Sequence, residues 1–168
     1  MHYSNSEMNT QQEKSNVEQL IRWSPPPLDR VTLNFDGPIG SSSAAGGFIF
    51  RTNSGKPLVA ASFNTGLSTV LVAKAMALRN SLICAKDRGF LRIKVEGDLK
   101  LVIDAISGVS ASPWRLLSLI QHMRHLRNSF EFISFKHVFK EANYVANTLA
   151  NLGHGLSSVC FWEECVLW

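Results

Sequence analysis

The hydrophobic period of the chain changes at Thr69, and that change constrains the fold more than any other feature. From Thr69 to about Arg88 the sequence is rich in Ala and Leu, holds no internal Gly or Pro and stops at Gly89. This predicts a helix of about five turns. On either side the period is two. Val31, Leu33 and Phe35 alternate with Thr32, Asn34 and Asp36, and Leu91, Ile93 and Val95 alternate with Arg92, Lys94 and Glu96. Both stretches read as half-buried strands. Two further strands are expected near Gly46–Arg51 and Pro57–Phe63, joined by the turn Thr52-Asn53-Ser54-Gly55, so the first three strands form an antiparallel meander.

Downstream, Leu99–Ser107 reads as a short helix closed by Gly108. A helix follows from near Pro113 to about Arg127, with Leu116, Leu119, Ile120, Met123 and Leu126 as its apolar stripe. Phe130–Val138 is a fifth strand. Ala142–Leu152 is a last helix, with Val145, Leu149 and Leu152 on one face. The order β-β-β-α-β-α-α-β-α predicts an α/β domain: a mixed five-stranded sheet flanked by helices. Residues 1–22 read as a disordered leader, residues 23–155 as the folded domain and residues 156–168 as an apolar tail docked on the body or on a protein partner. Trp23-Ser24-Pro25-Pro26-Pro27 gives the domain a stiff, extended entry.

Composition excludes several classes. With 45% of 168 residues hydrophobic, the chain is not mostly disordered. No apolar run approaches the roughly 20 residues of a membrane-spanning helix, and the polar first twenty residues lack the apolar segment of a secretory signal. The expectation is an intracellular protein, nuclear or cytoplasmic and not secreted, with Cys84, Cys160 and Cys165 as reduced thiols. Charge is unevenly placed. Residues 30–155 carry 15 Lys and Arg against 7 acids, a net +8, and each end carries −2. Such a body suits a polyanion partner, of which nucleic acid is the commonest.

Two acids, Asp36 and Asp98, stand where strands end, the place where ligands and metals collect in α/β sheets. Around them the sequence resembles the plant ribonuclease H-like domain of reverse-transcriptase and retrotransposon ancestry. Five segments carry the resemblance, in order, from Trp23 to about Gly155: Asn34-Phe35-Asp36-Gly37, Gly46-Gly47-Phe48-Ile49-Phe50, Ala73-Lys74-Ala75-Met76-Ala77-Leu78, Glu96-Gly97-Asp98, and the run His137-Val138-Phe139-Lys140-Glu141-Ala142-Asn143 that continues to Asn147 and Ala150. Ribonucleases H cut the RNA strand of an RNA–DNA hybrid with two metal ions held by four carboxylates. The resemblance therefore implies Mg²⁺ as cofactor, Asp36 and Asp98 as catalytic and metal-binding residues, and His137 as the assisting histidine.

The chain departs from that pattern twice, since the other two carboxylate positions hold Lys74 and Asn147. Asp36, Asp98 and Lys74 together give −1 where the family brings −4. At 4 Å two unit charges interact by about 4 kcal/mol at an effective dielectric near 20, so one repulsion in place of an attraction weighs heavily on metal affinity. Asn147 retains an amide oxygen able to coordinate. Glu96 shares strand parity with Asp98, and Asp104 and Glu141 lie on other elements; none occupies the lost helix position.

The expected function is a nucleic-acid-binding domain of the RNA–DNA hybrid class with a degenerate two-metal site and weak or no hydrolysis. Its partner would be a hybrid or double-stranded RNA, and Arg79, Lys136 and Lys140 are the candidate phosphate contacts, with Lys86 and Arg88 nearby. An active Mg²⁺-dependent hybrid ribonuclease and a protein-interaction module on the same fold are the alternatives.

Overall fold

In the computed structural model, residues 30–38, 40 and 43–163 are described. Strand β1 (Val31–Asp36) pairs antiparallel with β2 (Ala44–Arg51), which pairs antiparallel with β3 (Pro57–Gly66). Helix α1 (Val70–Asp87) starts at Thr69, whose hydroxyl accepts a hydrogen bond from the Val72 N–H and so satisfies one of the orphan donors of the first turn. Then follow β4 (Arg92–Gly97), α2 (Lys100–Ser107), α3 (Leu117–Arg127, preceded by a 3₁₀ turn over Trp114–Leu116) and β5 (Phe132–His137). A second 3₁₀ turn, Lys140–Asn143, leads into α4 (Tyr144–Leu152). Gly108 closes α2 at φ 80°, a left-handed cap that glycine adopts without strain.

The sheet has six strands in the order β5-β4-β1-β2-β3-β6, one more than the sequence predicts. The sixth, β6 (Cys160–Glu163), comes from the apolar tail and pairs antiparallel with the outer edge of β3, with Val59 opposite Glu163. Edge pairing, rather than loose apolar docking, is how this part of the tail joins the body, and Arg88 ties it down through Glu163. Residues 164–168, the leader and the proline-rich entry lie outside the described residues.

Alternation along the strands assigns the two faces of the sheet. Leu33 and Phe35, Phe48 and Phe50, and Ile93 and Val95 pack with α1, α2 and α3 into the main core. Ile49 and Ala60 face the other way, under Leu149 and Val145 of α4 and beside Trp162 of β6. Leu152 departs from the predicted stripe of α4: it is exposed, because α4 gives way at Gly153 to a 3₁₀ turn. Cys84 and Cys160 are free thiols, and burial is the main influence pushing the Cys84 thiol up; Cys165 lies outside the described residues. Among the described residues no helix is long and apolar enough to cross a membrane.

Helices on both faces approach the sheet at glycines. A Cβ on Gly37 would lie 2.4 Å from the backbone of Ala73 and Lys74 in α1, and one on Gly47 would lie 2.5 Å from the Ala150 nitrogen in α4. Neither obstacle is a side chain that can swing away. Gly47→Ala should therefore destabilise the domain by about 1–3 kcal/mol, the usual range for overpacking. Gly155→Ala, where nothing lies within 4 Å, should stay within about 0.5 kcal/mol. Urea unfolding of the two variants measures the difference.

Candidate functional site

Asp36 is the last residue of β1, Asp98 follows the end of the neighbouring parallel strand β4, and both therefore emerge at the same edge of the sheet. The Gly37 close approach brings the beginning of α1 over this edge from one face. Asn143, fully buried, brings the beginning of α4 over it from the other, by donating from Nδ2 to the Phe35 carbonyl at 2.7 Å. Lys74 and Asn147 are thereby delivered to the two carboxylates, and β5 delivers His137.

Every carboxylate oxygen of the pair meets a donor from the chain. Asp36 Oδ1 accepts from the Gly37 N–H at 2.8 Å and lies 3.5 Å from Lys74 Nζ. Asp36 Oδ2 accepts from Asn147 Nδ2 at 2.8 Å. Asp98 Oδ1 meets His137 Nε2 at 3.1 Å, and Asp98 Oδ2 lies 3.7 Å from Lys74 Nζ. The ammonium also donates to the Asp98 main-chain carbonyl at 3.1 Å. Lys74 thus bridges the two acids, with its side chain only 16% exposed and that of Asp36 5%. A buried carboxylate requires such partners, because an uncompensated charge out of water is costly. Among the described residues, no three His, Cys, Asp or Glu side chains converge on one point that could hold a metal ion.

Four of the sequence candidates and their two substitutes meet different fates. Asp36, Asp98 and His137 converge with Lys74 and Asn147 into this one cluster. Asn147 turns its amide nitrogen, not its oxygen, towards Asp36; the oxygen accepts from Asn151 Nδ2 at 3.2 Å. The coordinating oxygen that the sequence leaves open is thus pointed elsewhere. Glu96 does not join the cluster despite its parity with Asp98. It is buried under the second face, paired with Lys94 at 2.8 Å and reached by Asn34 Nδ2 at 3.4 Å.

Lys136 and Lys140 are exposed on either side of His137, as a phosphate contact needs. Arg79 instead folds back to donate from Nε and Nη2 to Asn80 Oδ1. Phe139, whose ring meets that of His137 edge-on at a centroid distance of 5.6 Å, is exposed beside the cluster. Its neighbourhood was visible in the sequence only through the motif that contains it.

The profile of the reverse transcriptase-like family matches residues 34–153, a span that contains the whole cluster. Comparison with curated proteins gives no match. Among solved structures, the chain is similar to ribonuclease H1 of the archaeon Halobacterium salinarum, with 29% identity over 74% of this chain and 97% of that one, at a TM-score of 0.70. It is also similar to an N-terminal RNase H domain from Mycobacterium tuberculosis, with 26% identity over 74% and 92% of the two chains and a TM-score of 0.69. LC11-RNase H1, solved in complex with an RNA/DNA hybrid, shares the fold at 21% identity over 74% and 96%, with a TM-score of 0.68.

Because Lys74 lies between two acids, its replacement leaves like charges facing each other with no cation between them. Lys74→Met should cost more than the ~1 kcal/mol of an exposed ion pair and approach the ~3–5 kcal/mol of a buried one. Adding Asp36→Asn to that variant should recover stability, although Asp36→Asn alone lowers it. A double-mutant cycle by chemical unfolding reads this coupling, and additive effects would contradict it.

Proposed function

The chain belongs to the reverse transcriptase-like family, and on that premise we propose that it binds nucleic acid of the RNA–DNA hybrid class through a ribonuclease H-like cleft in which Lys74 stands in for metal. The observation that supports this reading is the ammonium lodged between Asp36 and Asp98. In this reading the residues do not fit a pair of divalent ions. A protonated Lys74 cannot ligate, Asn147 offers an N–H rather than an oxygen, and three of the four carboxylate oxygens are held by hydrogen-bonding partners. The Mg²⁺ that ribonucleases H use is therefore assigned no step here.

What remains is a preformed cleft on a basic body, in which one ammonium offsets part of the charge of two carboxylates. Lys136 and Lys140 flank it and are placed to meet phosphate oxygens, which position a strand without reading its sequence. The affinity comes mainly from released counterions, so it falls steeply with salt. His137, held by Asp98 Oδ1, keeps one side of the cleft rigid. The solved relative in complex with an RNA/DNA hybrid supports hybrid as the first ligand to test.

Restoration tests the reading. Lys74→Glu with Asn147→Asp rebuilds four carboxylates, and Glu is well tolerated in the second turn of α1. The double variant should gain magnesium-dependent cleavage of a labelled hybrid. Lys74→Glu alone should recover most of it, since it removes the repulsion as well as adding a ligand, and Asn147→Asp alone should recover little. The unmodified protein should bind the hybrid at low salt and leave it intact. Metal-dependent cleavage by the unmodified chain, abolished by Asp98→Asn, would restore the nuclease reading. No binding of hybrid or double-stranded RNA at low salt would leave a protein-interaction module.

A further inference from the structure

The surplus positive charge does not sit mainly at the cleft. Between Ala105 and Phe130 the chain contains no carboxylate at all, and it carries Arg115, Arg124 and Arg127 together with His122 and His125. This stretch is α3 and its approach. All five belong to exposed residues; Arg115 precedes α3, and Arg124 and Arg127 flank the buried stripe of Ile120, Met123 and Leu126 on the side that meets α2. Elsewhere Lys74, Arg88, Lys94 and Lys100 are paired with acids. Arg115, Arg124 and Arg127 pair with no carboxylate among the described residues. Arg124 donates from Nε, at 3.1 Å, and from Nη2 to the Ala105 carbonyl, and Arg127 donates from Nη1 to the Ile106 carbonyl at 3.2 Å. Both guanidinium groups are thus oriented at the C-terminal end of α2 by carbonyls, whose partial negative charge offsets only part of theirs.

In the 3₁₀ turn just before α3 stands Trp114. It is 80% exposed, and the Arg115 guanidinium lies 5.1 Å from its ring centroid. An aromatic platform beside uncancelled arginines is the combination by which proteins hold single strands: bases stack on the ring and phosphates follow the charge. The α3 helix is about 16 Å long at 1.5 Å per residue, the rise of roughly five nucleotides in a stacked strand.

We propose that the exposed surface of α3 and its approach, from Trp114 to Arg127, binds a single-stranded nucleic-acid segment, with a base stacked on Trp114 and phosphates at Arg115, Arg124 and Arg127. The inference rests on the reading of the domain as a nucleic-acid binder and adds a second contact, on an element that supplies no residue of the Asp36–Lys74–Asp98 cluster.

Fluorescence anisotropy tests it, with the full chain, a labelled oligothymidine of about a dozen nucleotides and a blunt RNA–DNA hybrid of the same length. Trp114→Ala should weaken oligothymidine binding roughly tenfold, the effect of losing one stacked base, and change hybrid binding far less. Arg115→Gln should lower the slope of log affinity against log salt for oligothymidine by about 0.7, and Arg124→Gln and Arg127→Gln should each do the same. Trp114→Ala and Arg115→Gln break no backbone hydrogen bond, so they carry the test if the other two variants unfold. Unchanged affinity and slope in both would overturn the proposal. So would equal binding of polyglutamate and oligothymidine, indifferent to Trp114→Ala, which would mark a surface for acidic proteins. Hybrid binding without oligothymidine binding overturns this inference alone, and binding of neither removes the parent reading as well.

Discussion

The contact on which the rest of the site depends is the one between the Lys74 ammonium and the carboxylates of Asp36 and Asp98. Parallel pairing of β1 with β4 places the two acids side by side at one edge of the sheet, and two like charges so placed repel unless something positive lies between them. In a metal-dependent hydrolase that role belongs to divalent cations. Here a side chain reaches in from α1 and places its ammonium between them. On the function proposed above, that ammonium takes the place of bound ions, and the site is complete on folding, with no ligand concentration in its stability.

That substitution works only because the surrounding architecture sets distances finely. Gly37 lets the α1 backbone come close enough for Lys74 to bridge both acids, and Gly47 lets α4 do the same from the opposite face. Asn143 then fixes the start of α4 to the end of β1, which aims Asn147 at Asp36. Sheet, glycine gaps and buried amide thus converge on one edge. The basic surfaces are separate consequences of charge placement: Arg115, Arg124 and Arg127 lie in a stretch of chain without acids.

Much of this was legible in the sequence. A period of two marked β1 and β4, the turn at Thr52–Gly55 marked β2 and β3, and the Ala- and Leu-rich run from Thr69 marked α1 to within a residue of its ends. Asp36 and Asp98 stood out as strand-end acids, and the motifs around them named the residues that would meet them. The sixth strand was not legible, because Cys160–Glu163 has no clear alternation and its partner edge on β3 lies about a hundred residues away. Parity misled for Glu96: its side chain lies on the face reached by Asn34, whereas Asp98 lies past the strand end, where parity no longer governs direction. Arg79 looked free because sequence does not show that Asn80 captures it. The α3 surface was visible as an acid-free run, but only exposure and the absence of paired carboxylates separate a ligand surface from an ordinary solvated helix.

Calorimetric titration of the unmodified protein with Mg²⁺, at low ionic strength, tests the central claim most directly. If Lys74 occupies the place of the metal, the heat should be small and the binding weak or confined to one site. The melting temperature should likewise hardly move at millimolar Mg²⁺, since a ligand must bind the native state to stabilise it. Two tightly bound Mg²⁺ ions per chain, with a matching rise in melting temperature, would contradict the account.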